Sequence, residues 1–567
     1  MPGADGVRQQ GRQQRACAEG RGVARPGGVE DPKHAEKLHA REPGDPVAAR
    51  SREAAGRKEN AMSGKTFMNG SGESYSGIVP TKQPNEAAQA VEEAVEGRPL
   101  TKENTQRPNP CRTQSRESGT SGLGRVREAA RKDRKRKFTA LLHHVTIELL
   151  RDSYQSLKKK AAAGVDGVTW EEYGKRMEGR LADLHSRIHR GAYRAQPSRR
   201  VWIPKADGRQ RPLGIAALED KIVQRAVGEV LNQIWEVDFK GFSYGFRPGR
   251  SQHDALDALW VGIMRKKVNW ILDLDIRSFF DRIQHEWLVK FVEQRVGDQR
   301  VVRLIQKWLK AGVVEKGEWS QNEEGSPQGS VISPILANLY LHYVLDVWAE
   351  HWRNKQAKGD VVIVRYADDA VLGFQHRAEA EQFLEQLKER LGKFGMELHP
   401  EKTRLIEFGR MAAQRRSKRG EGEPETFNFL GFTHICGTNY TTGNFAVHRR
   451  TIGKRMAAKL KQISEQLRKR MHEKVTGTLE WLQQVVRGFF QYHAVPGNTE
   501  RLNAFRRDVA RLWYLALRRR SQRSRLNRSR FEERLASLLP PVQVLHPYPG
   551  VRFDVKHPNI RGRNRVR

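Results

Sequence analysis

Two acidic segments bounded by apolar residues are the part of the sequence best suited to chemistry. In the first, Asp273 and Asp275 close an apolar run that starts at Trp270, and alternation along a strand would place both carboxylates on one face. In the second, Asp368 and Asp369 stand between two apolar runs, which predicts a hairpin with the acidic pair at its tip. Periodicity alone leaves Asp273 and Asp275 as equal candidates for a site shared with that pair.

Adjacent carboxylates between buried strands predict a bound cation. Their burial is costly unless positive charge neutralises them, and Mg²⁺ prefers carboxylate and phosphate oxygens. Two such ions about 4 Å apart can activate an attacking 3′-hydroxyl and stabilise a leaving pyrophosphate. The alternative is an exposed acidic turn without a metal, which is the usual explanation of an isolated Asp-Asp pair.

The surrounding sequence predicts the elements that position these acids. Residues 201–204 and 211–215 are predicted to form two strands of a hairpin, joined by the charged turn 205–209. From about residue 218 to 445, helical and strand-like patterns are mixed, which is typical of an α+β domain.

Beyond Arg450 the pattern becomes helical and strongly basic. Apolar residues recur at helical spacing in three stretches: Ile452, Met456, Leu460, Ile463 and Leu467; Leu482, Val485, Val486 and Phe489; and Leu502, Phe505, Val509 and Leu512. Between residues 449 and 530 the only acids are Glu465, Glu473, Glu480, Glu500 and Asp508. An apolar seam with a basic outer face predicts a helical bundle that binds a phosphate backbone.

Composition favours a nucleic-acid partner. The formal net charge of +37 attracts polyanions and predicts salt-dependent binding. An anionic membrane surface and a basic ribosome-associated protein are the alternatives. No apolar run has the length of a membrane span, and the N-terminus lacks a secretory apolar region. The isolated cysteines Cys17, Cys111 and Cys436 favour a reducing compartment and argue against structural zinc.

The N-terminal region has a different composition. Residues 1–137 contain two aromatic side chains, Phe67 and Tyr75, among many Gly, Pro, Ser, Arg and Glu residues. Such a stretch cannot bury enough apolar surface to offset its ordering entropy, so residues 1–125 are predicted to be largely disordered. Translation could start at Met1, Met62 or Met68.

The acidic segments and several other motifs resemble the palm of reverse transcriptases. Tyr-Ala-Asp-Asp at 366–369, with Asp275 upstream, implies that Asp275, Asp368 and Asp369 hold the metal, with the backbone carbonyl of Ile276 as a further ligand. Asp273 and Asp281 are then supporting carboxylates. The resemblance implies other roles in chain order: triphosphate binding by Lys205 and Arg211, exclusion of a ribose 2′-hydroxyl by Phe280, nucleotide-pocket formation by Gln328 and Gly329, pyrophosphate protonation by Lys402, and a primer grip at Leu430 and Gly431.

The finer resemblance is to group II intron-encoded reverse transcriptases and maturases, over about residues 125–550. It rests on RPLGI at 211–215, SYGFRP at 243–248, SPQGSVISPILAN at 326–338, FLGF at 429–432, and RGFFQY at 487–492, which resembles the maturase segment called domain X. Many members carry an endonuclease with paired cysteines and histidines, and no such cluster follows Cys436. The resemblance therefore implies an endonuclease-lacking member that takes its primer from elsewhere, such as a nascent DNA strand.

The resemblance implies an α+β right-hand polymerase. Fingers and palm with an antiparallel sheet are expected at 126–447, an all-α thumb and maturase bundle at 448–545, and a basic C-terminal tail at 546–567.

It also implies an RNA-directed DNA polymerase that uses two Mg²⁺ ions. The enzyme would bind its parent group II intron RNA, assist splicing, and copy the intron into cDNA during retrohoming. The expected partners are intron RNA, a DNA target and primer, and dNTPs, with no membrane, in a bacterial cytoplasm; a monomer and a homodimer both stay open. RNA phosphate contacts are assigned to Arg449, Arg450, Lys454, Arg455, Lys469, Arg487, Arg518, Arg519 and Arg520.

Three alternatives compete with this interpretation. A retron or diversity-generating reverse transcriptase usually lacks the long basic helical region. A splicing cofactor without polymerase activity should show erosion of the acidic triad or of Gln328, and both are intact. A viral RNA-templated RNA polymerase must admit the 2′-hydroxyl, which Phe280 argues against.

Overall fold

The computed structural model describes residues 113–204, 210–321, 324–325, 329–439, 441–520 and 526–558. Lys205 and Gln328 lie outside these residues, as do residues 1–112 of the predicted disordered stretch. The last part of the stretch predicted to be largely disordered is helical, because Thr113–Lys132 form a helix, α1. Val126 and Ala130 of α1, one helical turn apart, are buried in the main core, which gives this helix the apolar contacts that its composition did not suggest.

The first part of the described chain mixes helices and strands, as expected for fingers and palm. Its helices after α1 are α2 (Ile147–Ser156), α3 (Trp170–Gly174), α4 (Met177–His189), α5 (Leu218–Asp238), α6 (Gln252–Arg265), α7 (His285–Glu293), α8 (Gln299–Lys310), α9 (Ser333–Leu341), α10 (Val347–Lys355), α11 (Arg377–Gly392) and α12 (Ala412–Lys418). Its strands are β1 (Ser198–Pro204), β2 (Gln210–Ile215), β3 (Trp270–Leu274), β4 (Val313–Glu315), β5 (Glu318–Ser320), β6 (Val361–Tyr366), β7 (Asp369–Phe374), β8 (Arg404–Glu407), β9 (Phe427–Phe429), β10 (Phe432–Thr438) and β11 (Phe445–Thr451).

The palm sheet has the strand order β6-β7-β3-β8 and is antiparallel throughout. Leu272 and Leu372 of its central strands are buried, and they contribute to the same core as helices α5, α9 and α11. Helix α6 packs against the other face, where it shares a second core with Ile271, Val364 and Val371. Because both faces of the sheet are covered, residues that follow β3 and β6 are presented from a rigid base.

The predicted hairpin of the fingers is present as β1 and β2. These strands pair antiparallel from Arg199 opposite Ile215 to Pro204 opposite Gln210. β1 also pairs in parallel with β4, which continues antiparallel into β5. The fingers sheet, in the order β2-β1-β4-β5, is therefore mixed, because one edge is completed by a hairpin from much later in the chain.

A small antiparallel sheet, β11-β10-β9, leads into the helical part. The helices that follow are α13 (Gly453–Lys469), α14 (Val475–His493), α15 (Thr499–Arg518), α16 (Arg528–Arg534) and α17 (Pro549–Lys556). Trp513 and Phe505 of α15 are fully buried in a separate apolar core with α13 and α14. The α+β class with a following all-α region is thus confirmed. No helix among the described residues is long and apolar enough to cross a bilayer.

The first part of the predicted basic tail at 546–567 is helical. Residues Pro549–Lys556 form α17, which packs against α6 of the palm. Arg552 donates to the buried carboxylate of Asp257, and Lys556 pairs with Asp254 at 2.8 Å. The basic residues of this segment thus find acidic partners on α6, which composition alone could not reveal.

Candidate active site

The hairpin between β6 and β7 places the acidic pair at the edge of the palm sheet. Tyr366 pairs with Asp369, so Ala367 and Asp368 form a two-residue turn. Ala367 has a φ of 57°, in the left-handed region that a residue with a Cβ adopts only at a cost. The hairpin predicted from the two apolar runs is therefore present, with a strained residue next to the acidic pair.

Strand register decides which upstream acid joins the pair. β3 runs antiparallel to β7, and continuing the register beyond Leu274 puts Asp275 beside Asp369. Asp273 lies earlier on β3, and its carboxylate approaches Arg404 of β8 at 4.0 Å. Burial raises the pKa of Asp273 to about 6. The structure therefore places Asp275 at the hairpin tip and Asp273 behind it.

The acidic cluster carries more negative charge than the protein neutralises. Burial raises the pKa of Asp368, and Asp275 adds to the rise although Arg211 opposes it. Burial also raises the pKa of Asp369 to about 7, with further contributions from Asp368 and Asp275. Asp369 keeps contact with solvent, but the protein crowds around its carboxylate closely enough to weaken its hydration. Such a cluster favours either protonation or a bound cation.

Lys402 lies beside this cluster. Its Nζ is 2.8 Å from Oδ2 of Asp275. The segment that carries it is anchored to the end of β3, because the backbone N–H of His399 donates to the carbonyl of Asp275 at 2.8 Å and Ile276 bridges to Leu398. The local fold thus brings the predicted proton donor to the predicted metal ligand.

Among the residues that the structure describes, no three His, Cys, Asp or Glu side chains converge closely enough to hold a metal ion as they stand. Lys402 engages one carboxylate oxygen of Asp275. The donor chemistry nevertheless fits a hard divalent cation, since three carboxylates and the backbone carbonyl of Ile276 belong to the ends of adjacent strands.

Gly325 and Gly329, which flank residues 326–328, lie against the palm and against the fingers, respectively. Gly325 has a φ of 87°, and a Cβ there would lie 3.0 Å from the carbonyl oxygen of Phe280. Gly329 has a φ of 105°, and a Cβ there would lie 2.7 Å from the carbonyl oxygen of Gly214 on β2. Gly329 therefore lies directly against β2, the strand that carries Arg211.

The predicted steric gate lies in the short 3₁₀ turn Phe279–Asp281 that follows β3. Phe280 is half-buried, and its ring contacts that of Phe279 edge-on with centroids 5.2 Å apart. Ser278 precedes the turn with a φ of 49°. Asp281 at the end of the turn is exposed. The turn therefore holds Phe280 five residues after Asp275, directly beyond the strained Ser278.

The predicted primer grip is the tight turn between β9 and β10. Leu430 and Gly431 have φ values of 45° and 84°, as the primed hairpin turns require. The thumb holds this turn, because Tyr492 of α14 donates its hydroxyl to the carbonyl of Leu430 at 2.7 Å. The backbone N–H of Ile452 donates to the carbonyl of Gly431 at 3.2 Å.

Most of the basic thumb residues assigned to RNA lie on the surface. Lys454, Arg455, Lys469, Arg487, Arg518 and Arg519 are exposed, whereas Arg450 and Arg520 are half-buried. The assignment of Arg449 is wrong, since its side chain is 2% exposed and pairs with the buried Asp257 at 3.1 Å. Arg520 donates to the carbonyls of Met471 and Glu473, which ties the ends of two thumb helices together.

Sequence reasoning gave no role to the buried residues beneath the hairpin. Arg365, one residue before Tyr366, is 1% exposed and pairs with the fully buried Asp346. An arginine within an apolar strand was the available signal, because a buried guanidinium needs several acceptors. Those acceptors lie in other elements, so their identity depended on the fold.

Comparison with known proteins agrees with this geometry. The family model for reverse transcriptase (RNA-dependent DNA polymerase) matches residues 203–434. Protein YkfC of Escherichia coli is 36% identical over 305 residues, which cover 47% of this chain and 80% of YkfC. The group II intron-encoded protein LtrA of Lactococcus lactis subsp. cremoris is 36% identical over 193 residues, 34% of this chain and 32% of LtrA. The chain belongs to the group II intron-encoded reverse transcriptase and maturase family.

This reverse transcriptase also resembles the putative COX1/OXI3 intron 1 protein of Saccharomyces cerevisiae, with 33% identity over 217 residues, 38% of this chain and 26% of that protein. The chain thus spans most of YkfC but about a third or less of LtrA and of the yeast protein. Its domain is that of an RNA-directed DNA polymerase, and enzymes with this domain use divalent metal ions.

Proposed function

We propose that this reverse transcriptase synthesises DNA on an RNA template with two Mg²⁺ ions held by Asp275, Asp368, Asp369 and the backbone carbonyl of Ile276. The observation that carries the proposal is the strand register, which puts Asp275 beside Asp369 at the tip of the β6–β7 hairpin. When bound, the ions would activate the primer 3′-hydroxyl and stabilise the charge of the leaving pyrophosphate.

The protein side chains supply positioning and selectivity. Arg211 is close enough to the acidic cluster to oppose the raised pKa of Asp368, which supports a role for its charge on the incoming triphosphate together with Lys205. Phe280 would occupy the space of a ribose 2′-hydroxyl and so select deoxynucleotides. Lys402, whose Nζ pairs with Asp275, would donate a proton to the leaving pyrophosphate.

We further propose that the basic thumb binds the parent group II intron RNA, assists its splicing, and keeps it in place for copying into cDNA during retrohoming. Exposed Arg and Lys side chains on α13, α14 and α15 support this role, because they can contact phosphates without distorting the apolar core beneath them. Such contacts carry no sequence information, so specificity would come from the shape and the single-stranded loops of the RNA.

A primer-extension assay tests the polymerase proposal. The full chain is given an RNA template, a DNA primer, dNTPs and Mg²⁺, beside Asp368→Asn and the exposed-acid control Asp152→Asn. We expect cDNA from the wild type and the control and a loss of at least about 100-fold in Asp368→Asn, because the substitution removes charge from the metal site while preserving shape. Tight RNA binding without synthesis by the wild type would instead support a splicing cofactor that does not polymerise.

A further inference from the structure

The guanidinium of Arg365 uses all five of its N–H donors in the protein interior. Two bonds go to the carboxylate of Asp346, at 2.7 and 2.5 Å. The others go to Oδ1 of Asn338 at 3.1 Å, Oγ of Ser243 at 2.7 Å, and the carbonyl oxygen of Ala367 at 2.7 Å. The last acceptor is the backbone of the catalytic turn itself, so this side chain reaches forward to the residue that precedes Asp368.

The acceptors come from elements that are far apart in the chain. Ser243 follows α5, Asn338 lies on α9, and Asp346 closes the short π-helical turn His342–Asp346 that follows α9. All three are essentially inaccessible to solvent. Because all three bind the same planar guanidinium, they fix the position of the β6–β7 hairpin relative to the palm helices.

A second set of contacts holds the turn from the same side. The segment around Ser243 pairs in parallel with β6, since Tyr244 donates its N–H to the carbonyl of Arg365 at 2.8 Å. Gly245 packs so closely that a Cβ would lie 2.2 Å from the backbone nitrogen of Ala367. Asn338 donates its side-chain amide to the carbonyl of Gly245 at 2.6 Å. The turn is therefore wedged against a segment that Asn338 and Arg365 both fix.

This arrangement bears on the strained residue of the turn. Ala367 has a positive φ of 57°, which an alanine leaves readily unless its surroundings hold it. Its carbonyl belongs to the peptide group that leads into Asp368, so a hydrogen bond to that oxygen fixes the direction in which Asp368 leaves the turn. Without this hydrogen bond the carboxylate of Asp368 would still be present, but its orientation would no longer be fixed.

We propose that Arg365 is a positioning residue that, with Ser243, Asn338 and Asp346, locks the turn at Ala367 and so aims Asp368 and Asp369 at the reacting phosphate. The inference rests on the proposed polymerase function. It adds that the catalytic rate depends on a buried network that contacts neither substrate nor metal.

The test compares Arg365→Lys with a matched buried arginine. Lysine keeps the charge but cannot make the five bonds. Arg295 is likewise buried, with 2% of its surface exposed. It pairs with Asp238 at 3.4 Å and donates to the carbonyl of Ala130 at 3.5 Å, and neither partner belongs to the β6–β7 hairpin. For each folded variant, single-turnover dNTP incorporation gives the maximal rate, the nucleotide KM and the Mg²⁺ concentration for half-maximal rate.

We expect Arg365→Lys to lower the maximal rate about 100-fold, as small misplacements of catalytic groups do, and to raise the Mg²⁺ requirement, with nucleotide KM and primer–template Kd within about two-fold of wild type. Arg295→Lys should lose thermal stability while keeping the rate per folded molecule. Ser243→Ala removes one acceptor only, so it should lower the maximal rate and raise the Mg²⁺ requirement to a smaller degree. It replaces Arg365→Lys as the test variant if Arg365→Lys does not fold.

The outcomes separate this inference from the proposed function. No synthesis by the wild type overturns the polymerase proposal itself. An active wild type with an unchanged maximal rate and Mg²⁺ requirement in folded Arg365→Lys, or in Ser243→Ala, overturns the positioning role alone. An equal loss of maximal rate in Arg295→Lys would show that Arg365 contributes only general stability, and it would also overturn the positioning role.

Discussion

Lys402 and Asp275 are 127 residues apart in the chain, yet the ammonium of one lies 2.8 Å from the carboxylate of the other. A lysine that pairs with a metal-ligand candidate has two possible roles, as a counter-ion that holds the site together before metal binds and as a proton donor during the reaction. The two roles predict different activities for Lys402→Arg. Arginine can pair with a carboxylate and so replace a counter-ion, but it does not release its proton and cannot replace a proton donor.

We therefore predict that Lys402→Arg and Lys402→Ala both lower the maximal rate of nucleotide incorporation about 100-fold, the usual contribution of a positioned acid. Single-turnover kinetics at saturating dNTP measure this directly. Lys393→Ala, at an exposed lysine after α11, is the control and should keep the wild-type rate. Full activity in Lys402→Arg with loss only in Lys402→Ala would assign the residue to the counter-ion role.

Gly431 allows a test of the primer grip. Its φ is 84°, and a Cβ would lie 3.3 Å from atoms of Arg455 and Tyr492 in the thumb. Gly431→Ala should therefore displace the turn from the thumb and raise the primer–template Kd about 10-fold, for a contact change of order 1 kcal/mol. Binding by fluorescence anisotropy measures the effect.

The matched control for the grip is Gly443→Ala. Gly443 has a similarly positive φ of 67°, but a Cβ there would meet nothing within 4 Å. The backbone strain of the two substitutions is thus comparable, and only crowding against the thumb differs. Equal loss of primer binding in both variants would contradict the assignment of residues 430–431 as the grip.

The sequence was sufficient for the acidic hairpin but not for the details that make it work. Apolar runs on both sides of Asp368 and Asp369 fixed the hairpin, because few other structures bury both runs and expose the pair. Periodicity alone could not choose between Asp273 and Asp275. The family resemblance chose Asp275, and the register of β3 against β7, continued by one residue, puts Asp275 beside Asp369. Neither Gln328 nor Lys205 lies among the described residues, so their roles stay predictions.

Buried polar residues were the main failure of prediction. Arg449 was assigned to RNA because the surrounding sequence is strongly basic. Its side chain is instead buried and donates to Asp257, which lies 192 residues away in sequence. Arg365 meets Ser243 across 122 residues. A high density of basic residues along the chain indicates that the surface binds a polyanion. It does not indicate which of those residues are exposed, because burial depends on pairing with residues far away in sequence.

Asp298 should make the junction between α8 and the N-terminal part of the core sensitive to acid. Burial alone would raise the pKa of this carboxylate, but the side chain of Arg300 and the backbone N–H groups of Leu141 and Leu142 donate to it and hold its pKa well below the ordinary value of 3.8. A depressed folded-state pKa stabilises the fold above the unfolded-state pKa, and the contribution is lost as pH falls toward the folded-state value.

We predict that Asp298→Asn lowers the free energy of unfolding by about 2 kcal/mol at pH 7, the scale of hydrogen bonds to a buried charge. Urea unfolding at pH 7, 5 and 4 should give a constant difference from wild type at the two higher values and a smaller one at pH 4, because the unfolded wild type begins to bind a proton there. Asp152→Asn, at an exposed position, should leave stability unchanged at every pH. A difference independent of pH would contradict the linkage.

The surface of the thumb is expected to set the salt dependence of RNA binding. Lys454 and Arg487 are exposed on α13 and α14, whereas Arg449 is buried on Asp257. Each phosphate contact that is removed lowers the slope of log Kd against log salt concentration by about 1. Lys454→Ala and Arg487→Ala should therefore each reduce the slope for a structured RNA hairpin by about that amount, and Arg449→Met should leave the slope of the folded protein unchanged although it removes the same charge. An equal change of slope in all three variants would show that net charge alone, and not contact at this surface, governs RNA binding.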